Sequence, residues 1–392
     1  MMLRTLMADM NYNINNQLAA TRLYAHMYNK EDSLNPIERF KIVHISDAHL
    51  SSKSSSNKYT SPQNLIEAIK FSNQQELAIN AIVATGDHIN HAKKKDALLF
   101  LNSFYQHLFE NNRIPTFPCY GNHDSNTLKH SVAEALSKKD LHTSFSNRRN
   151  YELHRESDEN YYYADVKNPM GGYIRIISLD MLDQPALTYN TLNQAIFSQK
   201  QIDWLCNKAL NENMTDKHSV IVITHFPFES YSKNENRPSY LTDGKFVHTS
   251  QLIPEIIEAF REKSMLKNKY PNIINGKDTI YVDKDFSSCK GDFICYMGGH
   301  IHTTTQFEVS NIRNRSTSLP PQKMLLCTNM SPSEKGTLFN RVNRVENTVT
   351  DNSFCIYAID TKERNIYITF FGAYLPTGKN AEEYPETQVI GY

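Results

Sequence analysis

Several classes are excluded by what the chain does not contain. Its 392 residues hold no run approaching the about 18 consecutive apolar residues of a membrane span, so no transmembrane helix is expected. The opening MMLRTLMADMNYNINNQ carries one arginine without the apolar stretch of roughly 7 to 15 residues that a secretory leader would place behind it. A soluble, cytoplasmic protein is therefore expected. Its 6 cysteines (Cys119, Cys206, Cys289, Cys295, Cys327 and Cys355) form no Cys-x-x-Cys pair, and a chain of this length needs no disulfide framework. They read as free, mostly buried thiols. Charge of one sign is lacking too: 42 Lys and Arg offset 42 Asp and Glu, which removes the long-range field that would steer a polyanion or an anionic membrane. Nucleic acid is thus a disfavoured partner. The sequence has no repeat of fixed period and no interdomain linker. What it has is 40% hydrophobic residues, enough apolar surface for a large core.

Along the chain, residues 1–38 are polar and Asn-rich, with a helix expected over 15–28, and read as an appendage to a domain spanning 39–374. FKIVHIS is a β-branched run ending in polar residues, the form of a buried parallel strand whose carboxyl end carries chemistry. The loop at 51–62, rich in Ser and Lys, reads as a solvated connection. A helix over 64–78, the strand AIVATGD, an amphipathic helix over 94–111 with Leu98, Leu101, Tyr105 and Leu108 on one stripe, and the strand leading to GNHD follow. This alternation predicts βαβ units and a parallel sheet. YYYADV and YIRIISLD flank NPMGG as a hairpin. Ser198 and Gln201 have the spacing of a capping box that opens a helix through Trp204 to about residue 211. HSVIVITHFP and FICYMGG are further strands. Residues 229–251 and 264–291 read as long loops around a site, KMLLCTN and SFCIYAID/NIYITFFGAY as edge strands and a terminal hairpin, and 375–392 as a loose polar tail.

Placed side by side, the strand ends show one pattern: Asp47-Ala48-His49, Gly86-Asp87, Gly121-Asn122-His123-Asp124, Thr224-His225 and Gly298-Gly299-His300-Ile301-His302. Ligands of open α/β sheets bind beyond the carboxyl ends of the strands, so these segments are expected to converge. Alternation along an extended segment would point Asp47 and His49 to one side, and His300 and His302 likewise. Only 13 glycines exist, and Gly86, Gly121, Gly298 and Gly299 all touch the pattern. A histidine inside a strand, such as His44, reads as packed. His88, His91, His248, Tyr231 and Tyr240 read as packing or surface rather than as contacts of the site, and Phe226 and Phe228 as packing.

This ordered set resembles the signature of the calcineurin-like metallophosphoesterase superfamily, from about Phe40 to His302, with the hairpin to Tyr374 similar to the end of the family's second sheet. The resemblance implies an α/β fold, a four-layer αββα sandwich of two mixed sheets flanked by helices, with a dinuclear metal site at strand carboxyl ends. It places one divalent ion on Asp47, His49, Asp87 and His302 and the second on Asp87, Asn122, His225 and His300, Asp87 bridging. It makes His123 the general acid that protonates the leaving group, with Asp124 orienting and charging the imidazole, and a metal-bridging hydroxide the nucleophile. For that ligand set, two divalent cations against two carboxylates leave the site about two units positive, suited to a phosphate, and one water touching both ions would have its pKa drawn from 15.7 toward about 7. Imidazole, carboxylate and amide oxygen suit Mn, Fe, Zn or Co.

Within the superfamily, Asn90 stands where purple acid phosphatases carry a metal-binding tyrosine, and GDHINHA with Asp124 departs from the Ser/Thr phosphatase pattern. The remaining likeness is to bacterial-type phosphoesterases and class III cyclic nucleotide phosphodiesterases, and the expected substrate is a small, nucleotide-like phosphomonoester or phosphodiester. The alternatives are a nuclease of the repair-exonuclease type and a non-catalytic protein-binding scaffold of the same fold.

Overall fold

Phe40–Ile45 (β1) reads FKIVHI, and all six of its residues are buried, as in a strand covered on both faces. In the computed structural model of the chain the described residues are 38–51, 62–126, 132–146, 148, 150–183, 197–228, 247–271, 279–302, 304–309, 312–313, 316–328, 330, 352–372 and 387–392. The expected helix over 15–28 and most of the loop at 51–62 lie outside them. After β1 come helix α1 (Gln63–Ser72), β2 (Ala81–Thr85), helix α2 (Lys94–Phe109), β3 (Thr116–Cys119) and helix α3 (Lys138–Ser146). β1 and β2, and β2 and β3, pair in parallel, so the predicted βαβαβ unit is present. α2 buries Leu101, Tyr105 and Leu108 with Ala97 and Phe104, while Leu98 packs at the margin of the stripe.

The first sheet is completed by β12 (Ser353–Asp360), β13 (Asn365–Gly372) and β14 (Thr387–Gly391), in the order β14-β13-β12-β1-β2-β3. Two expectations are corrected here. β12 is no edge: it runs antiparallel to β1 in the middle of the sheet, with all eight residues buried. Nor is the end of the chain loose throughout. Residues 387–391 form the outer strand against β13, and Tyr392 is buried with the Arg364 guanidinium 4.8 Å from its ring centroid. The polar composition of the tail hid this because an edge strand needs only its backbone and one face to pair.

The second sheet contains β4 (Tyr162–Lys167), β5 (Tyr173–Ser178), β6 (His218–Ile223), β9 (Asp292–Gly298), β10 (Thr305–Glu308) and β11 (Lys323–Leu326), in the order β10-β11-β9-β6-β5-β4. β4–β5 is the expected hairpin; β5, β6, β9 and β11 are parallel neighbours. Alternation along β6 divides the core: Ile221 and Ile223 join the apolar cluster of β1, β2 and α1, whereas Val220 and Val222 join the cluster on the other face. That outer cluster includes helix α5 (Val247–Glu262), helix α4 (Gln199–Trp204) and the hairpin β7 (Met265–Pro271)–β8 (Thr279–Asp285). The layers are therefore helix, sheet, sheet, helix.

Residues 264–291 are thus not one long loop. Ile280 and Val282 turn inward while Tyr281 and Asp283 face out, a two-residue period diluted by charged neighbours. Of 229–251, residues 247–251 begin α5 and the others lie outside the described residues. Ser198 caps α4, its Oγ accepting from Gln201 N at 3.1 Å, but the Gln201 amide turns to the Asp180 backbone instead of closing the box. The helix ends in a π-helical turn over Leu205–Ala209. All 6 cysteines are free and buried. No helix among the described residues is long and apolar enough to cross a membrane.

Docking of β14 can be checked directly. Tyr392→Ala, which removes a ring only 5% exposed, is expected to cost about 1–3 kcal/mol of stability, read as a lowered thermal midpoint. An unchanged midpoint would mean that the strand is not held.

Candidate metal centre

The parallel strands of both sheets end at one edge of the sandwich, and the chain leaves them in tight, mutually bonded turns. Asp47 N donates to Gly86 O at 3.0 Å, His49 N to Asp87 O at 2.9 Å and Leu50 N to His88 O at 3.0 Å, so the first two turns are zipped together. Asp47, His49, Asp87, His300 and His302 all have positive φ, at 51°, 47°, 51°, 71° and 50°. This corrects the expectation of strand-like alternation: the paired ligand-type residues share a pocket because each sits in the left-handed region. Such residues cost of order 1–3 kcal/mol apiece and persist only where the surroundings determine them.

Two groups of side chains result. Asp47, His49, Asp87 and His302 present atoms within 4.8 Å of one another, and so do Asp87, His225 and His300; Asp87 belongs to both. Asn122 joins the second group, its Oδ1 lying 3.1 Å from His225 Nε2. All seven residues named as ligands thus meet at one place.

Their protons do not suffice for their lone pairs. His225 Nδ1 donates to Thr85 O at 2.7 Å, which in a neutral ring leaves Nε2 bare, yet Nε2 faces Asp87 Oδ2 at 3.2 Å and Asn122 Oδ1. His49 and His302 oppose their Nε2 atoms at 2.9 Å, the latter also 3.2 Å from Asp47 Oδ1. Acceptors converging this closely need a proton or a cation between them, and imidazole, carboxylate and amide oxygen are donors that suit a divalent transition metal. The donor set fits two such ions.

The side chains' own fields agree. Burial opposes ionisation of Asp47, but His302 and then His225 hold its carboxyl at about 2; Asp87, likewise buried, is carried well below the usual carboxylate range by His225, His123 and His49. Burial would lower His225, but Asp87 and Asp47 reverse this and raise it to about 9. Desolvation pushes His49 down to about 4, His300 to about 3 and His123 well below the ordinary value.

His123 lies over the same pocket, its Nε2 3.8 Å from Asp87 Oδ2. Asp124 does not orient it. The Asp124 carboxylate is spent on backbone: Oδ2 accepts from Gly121 N at 2.8 Å, Oδ1 from His88 N at 2.8 Å and Ile89 N at 3.2 Å. It braces the Gly-Asp turn, and burial followed by Asp87 raises its carboxyl to about 8. His91 instead stacks on His123, ring centroids 4.2 Å apart at 22°. His88 is buried against Phe104 at 4.1 Å and is a packing residue, as is Phe226, edge-on to His300 at 4.4 Å. Ser46 and Thr85 were not singled out in the sequence, although they precede Asp47 and Gly86. Ser46 Oγ donates to Asp47 Oδ2 at 2.5 Å, and Thr85 carries the carbonyl that fixes His225. Close approach explains Gly299, where a Cβ would lie 1.9 Å from Ser46 Oγ and 2.4 Å from Asp47 Oδ2.

Two buried imidazoles outside the ligand groups set an acid limit on stability. Desolvation pushes His44 and His88 to about 3, against about 6.5 in an unfolded chain. The unfolded state therefore binds protons that the folded state refuses: their contribution is complete above about 6.5 and is lost as the pH falls toward 3. The metal-free protein is expected to melt roughly 5–10 °C lower at pH 5 than at pH 7, and an unchanged midpoint would contradict the buried neutral assignment.

No curated protein matches the chain in sequence. Among solved structures, a dimetal phosphatase from Danio rerio superposes with a TM-score of 0.54 at 12% identity, covering 91% of this chain and 100% of that one. A structure of PhoD superposes with a TM-score of 0.48 at 9% identity, over 91% and 69%. The first shares the fold. The sequence model of the calcineurin-like phosphoesterase family matches residues 40–303, a span that takes in every strand end described above. By that match the chain belongs to the calcineurin-like phosphoesterase family and is a metal-dependent phosphoester hydrolase.

Proposed function

We propose that the enzyme hydrolyses a small, nucleotide-like phosphomonoester or phosphodiester, with Asp47, His49, Asp87 and His302 holding one divalent ion, Asp87, Asn122, His225 and His300 the other, and His123 acting as general acid. One observation carries the reading. The side chains of His49, His302 and His123 are 11%, 15% and 20% exposed while those of Asp47 and Asp87 are at most 2% exposed. A phosphate entering the pocket meets imidazoles and keeps the carboxylates behind them.

When bound, the ions offset phosphate charge and activate water for attack. Mn, Fe, Zn and Co all accept these donors. The remaining work belongs to the chain. Asp87 orients two groups of ligands at once, and the His123 backbone N–H, donating to Asp87 Oδ1 at 2.8 Å, fixes its carboxylate. Burial keeps His123 neutral in the absence of substrate; a phosphate dianion beside it favours the imidazolium, which passes its proton to the leaving-group oxygen. Stacking on His91 holds the ring plane in place of the carboxylate partner that Asp124 does not supply. With no net charge to gather a polyanion, a small substrate fits better than a long nucleic acid.

Purified protein assayed with Mn²⁺ on nitrophenyl phosphates, cyclic nucleotides, dinucleotides and DNA would test the assignment: turnover is expected on the small esters, and a strong preference for DNA with steep salt dependence would overturn the substrate class. Asp87→Ala is expected to lower kcat by at least about 100-fold; a loss below about tenfold would contradict its shared role. His123→Ala should slow alkyl esters by roughly 10²- to 10⁴-fold while sparing nitrophenyl esters, whose leaving group departs without a proton. Equal losses on both would remove His123 as the acid.

A further inference from the structure

Behind Asp47, on the side away from the pocket, a row of polar groups runs through the core of the first sheet. Ser46 Oγ donates to Asp47 Oδ2 at 2.5 Å, and Thr85 Oγ1 donates to Ser46 Oγ at 2.9 Å. Thr85, its proton spent, accepts from His44 Nε2 at 2.8 Å. A neutral imidazole that donates from Nε2 must accept at Nδ1, where the Tyr357 hydroxyl stands at 3.4 Å. Each group is one that could face either way alone. In series, the ionised carboxylate at one end allows a single direction for all of them: Tyr357, His44, Thr85, Ser46, Asp47. None of the five is more than 3% exposed, so no water competes for these bonds. They join the carboxyl ends of β1 and β2 to the middle of β12, elements brought together by the sheet and not by the site.

We infer that His44 is a positioning residue for the metal centre, acting through Thr85 and Ser46 to fix the rotamer and charge of Asp47. This rests on the ligand assignment proposed above. Partners of this kind behind metal ligands typically change metal affinity by about 10- to 100-fold when removed. The chain also predicts selectivity. Thr85 meets the second group through its backbone carbonyl, which accepts from His225 and, at 3.3 Å, from Ser46 Oγ, whereas its hydroxyl bonds Ser46 and His44 and reaches Asp47 through Ser46. Loss of the hydroxyl should weaken one ion and leave the other.

The test is Mn²⁺ binding by calorimetry, with no substrate present, to the full chain and to His44→Phe, Thr85→Val and Tyr357→Phe, each checked for native circular dichroism. The wild type is expected to bind two ions. In Thr85→Val and His44→Phe one binding step should weaken by about 10- to 100-fold with the other unchanged, Tyr357→Phe should weaken the same step by less, and His44→Gln, which keeps a donor toward Thr85, should recover most of the loss. Equal weakening of both steps, or no change in folded His44→Phe and Thr85→Val, would overturn the inference. Should His44→Phe not fold, Thr85→Val decides alone. A wild type that bound no Mn²⁺, or an Asp47→Ala variant that bound it normally, would sink the ligand assignment instead.

Discussion

The structure is organised around an electrostatic imbalance: Asp87 and its neighbours aim more lone pairs at one point than they have protons to share. With His225 Nδ1 committed to Thr85 O, the approach of His225 Nε2 to Asp87 and Asn122 is repulsive unless something positive lies among them. A proton can stand there, and the raised His225 is what that looks like. A divalent cation does it better and at two places. Removal of the ions from such a centre would leave buried like-signed atoms facing each other, so metal affinity and local stability are the same quantity seen from two sides.

Holding that imbalance requires a frame stiffer than the loops that carry it. Ile42 of β1 and Ile221 and Ile223 of β6 belong to the apolar cluster between the two sheets, and the parallel strands deliver all five motifs to one edge. Five left-handed residues in those turns would relax if the turns were independent. They are not: the Asp-x-His turn is hydrogen-bonded along the Gly-Asp turn, Asp124 ties the latter to Gly121, and His300 N donates to both oxygens of Asp47. Backbone strain is offset by bonds between turns, each of which is contributed by a different strand.

Much of this was legible beforehand because the chemistry demands residue types that core packing does not. Asp and His at the ends of β-branched runs have no packing rationale, so five such ends announce a site, and parallel pairing follows from helices between strands. The parts that misled are those in which one residue type serves two purposes. Asp124, adjacent to a histidine, reads as its partner, yet three backbone amides compete for a buried carboxylate and win it. The Asp-x-His and His-x-His spacings suggest an extended segment, but only φ values reveal the left-handed turns. β8 is hidden by its charged outer face and β14 by the polar tail it ends, and the central place of β12 depends on long-range pairing with β1 that no local pattern encodes. Ser46 and Thr85 are ordinary strand-end residues in any sequence; only their distances make them partners of the centre.

The loss of the Asp124 contact has a mechanistic consequence. An imidazole with a carboxylate partner is held protonated and pays nothing to wait for substrate. His123 has an aromatic neighbour instead, and in its buried setting stays neutral. In the general-acid role proposed above, its proton would therefore arrive with, or be drawn in by, the negative charge of the bound ester. An acid that charges only when a phosphate is present is strongest when the leaving group needs it, and it adds no permanent positive charge to a pocket already designed around two cations. The same arrangement keeps the resting pocket from repelling those cations, since a fixed imidazolium 3.8 Å from the shared carboxylate would compete with them for it. Asp124, by bracing the turn beneath Asp87 instead of charging His123, thus serves metal binding more directly than proton transfer.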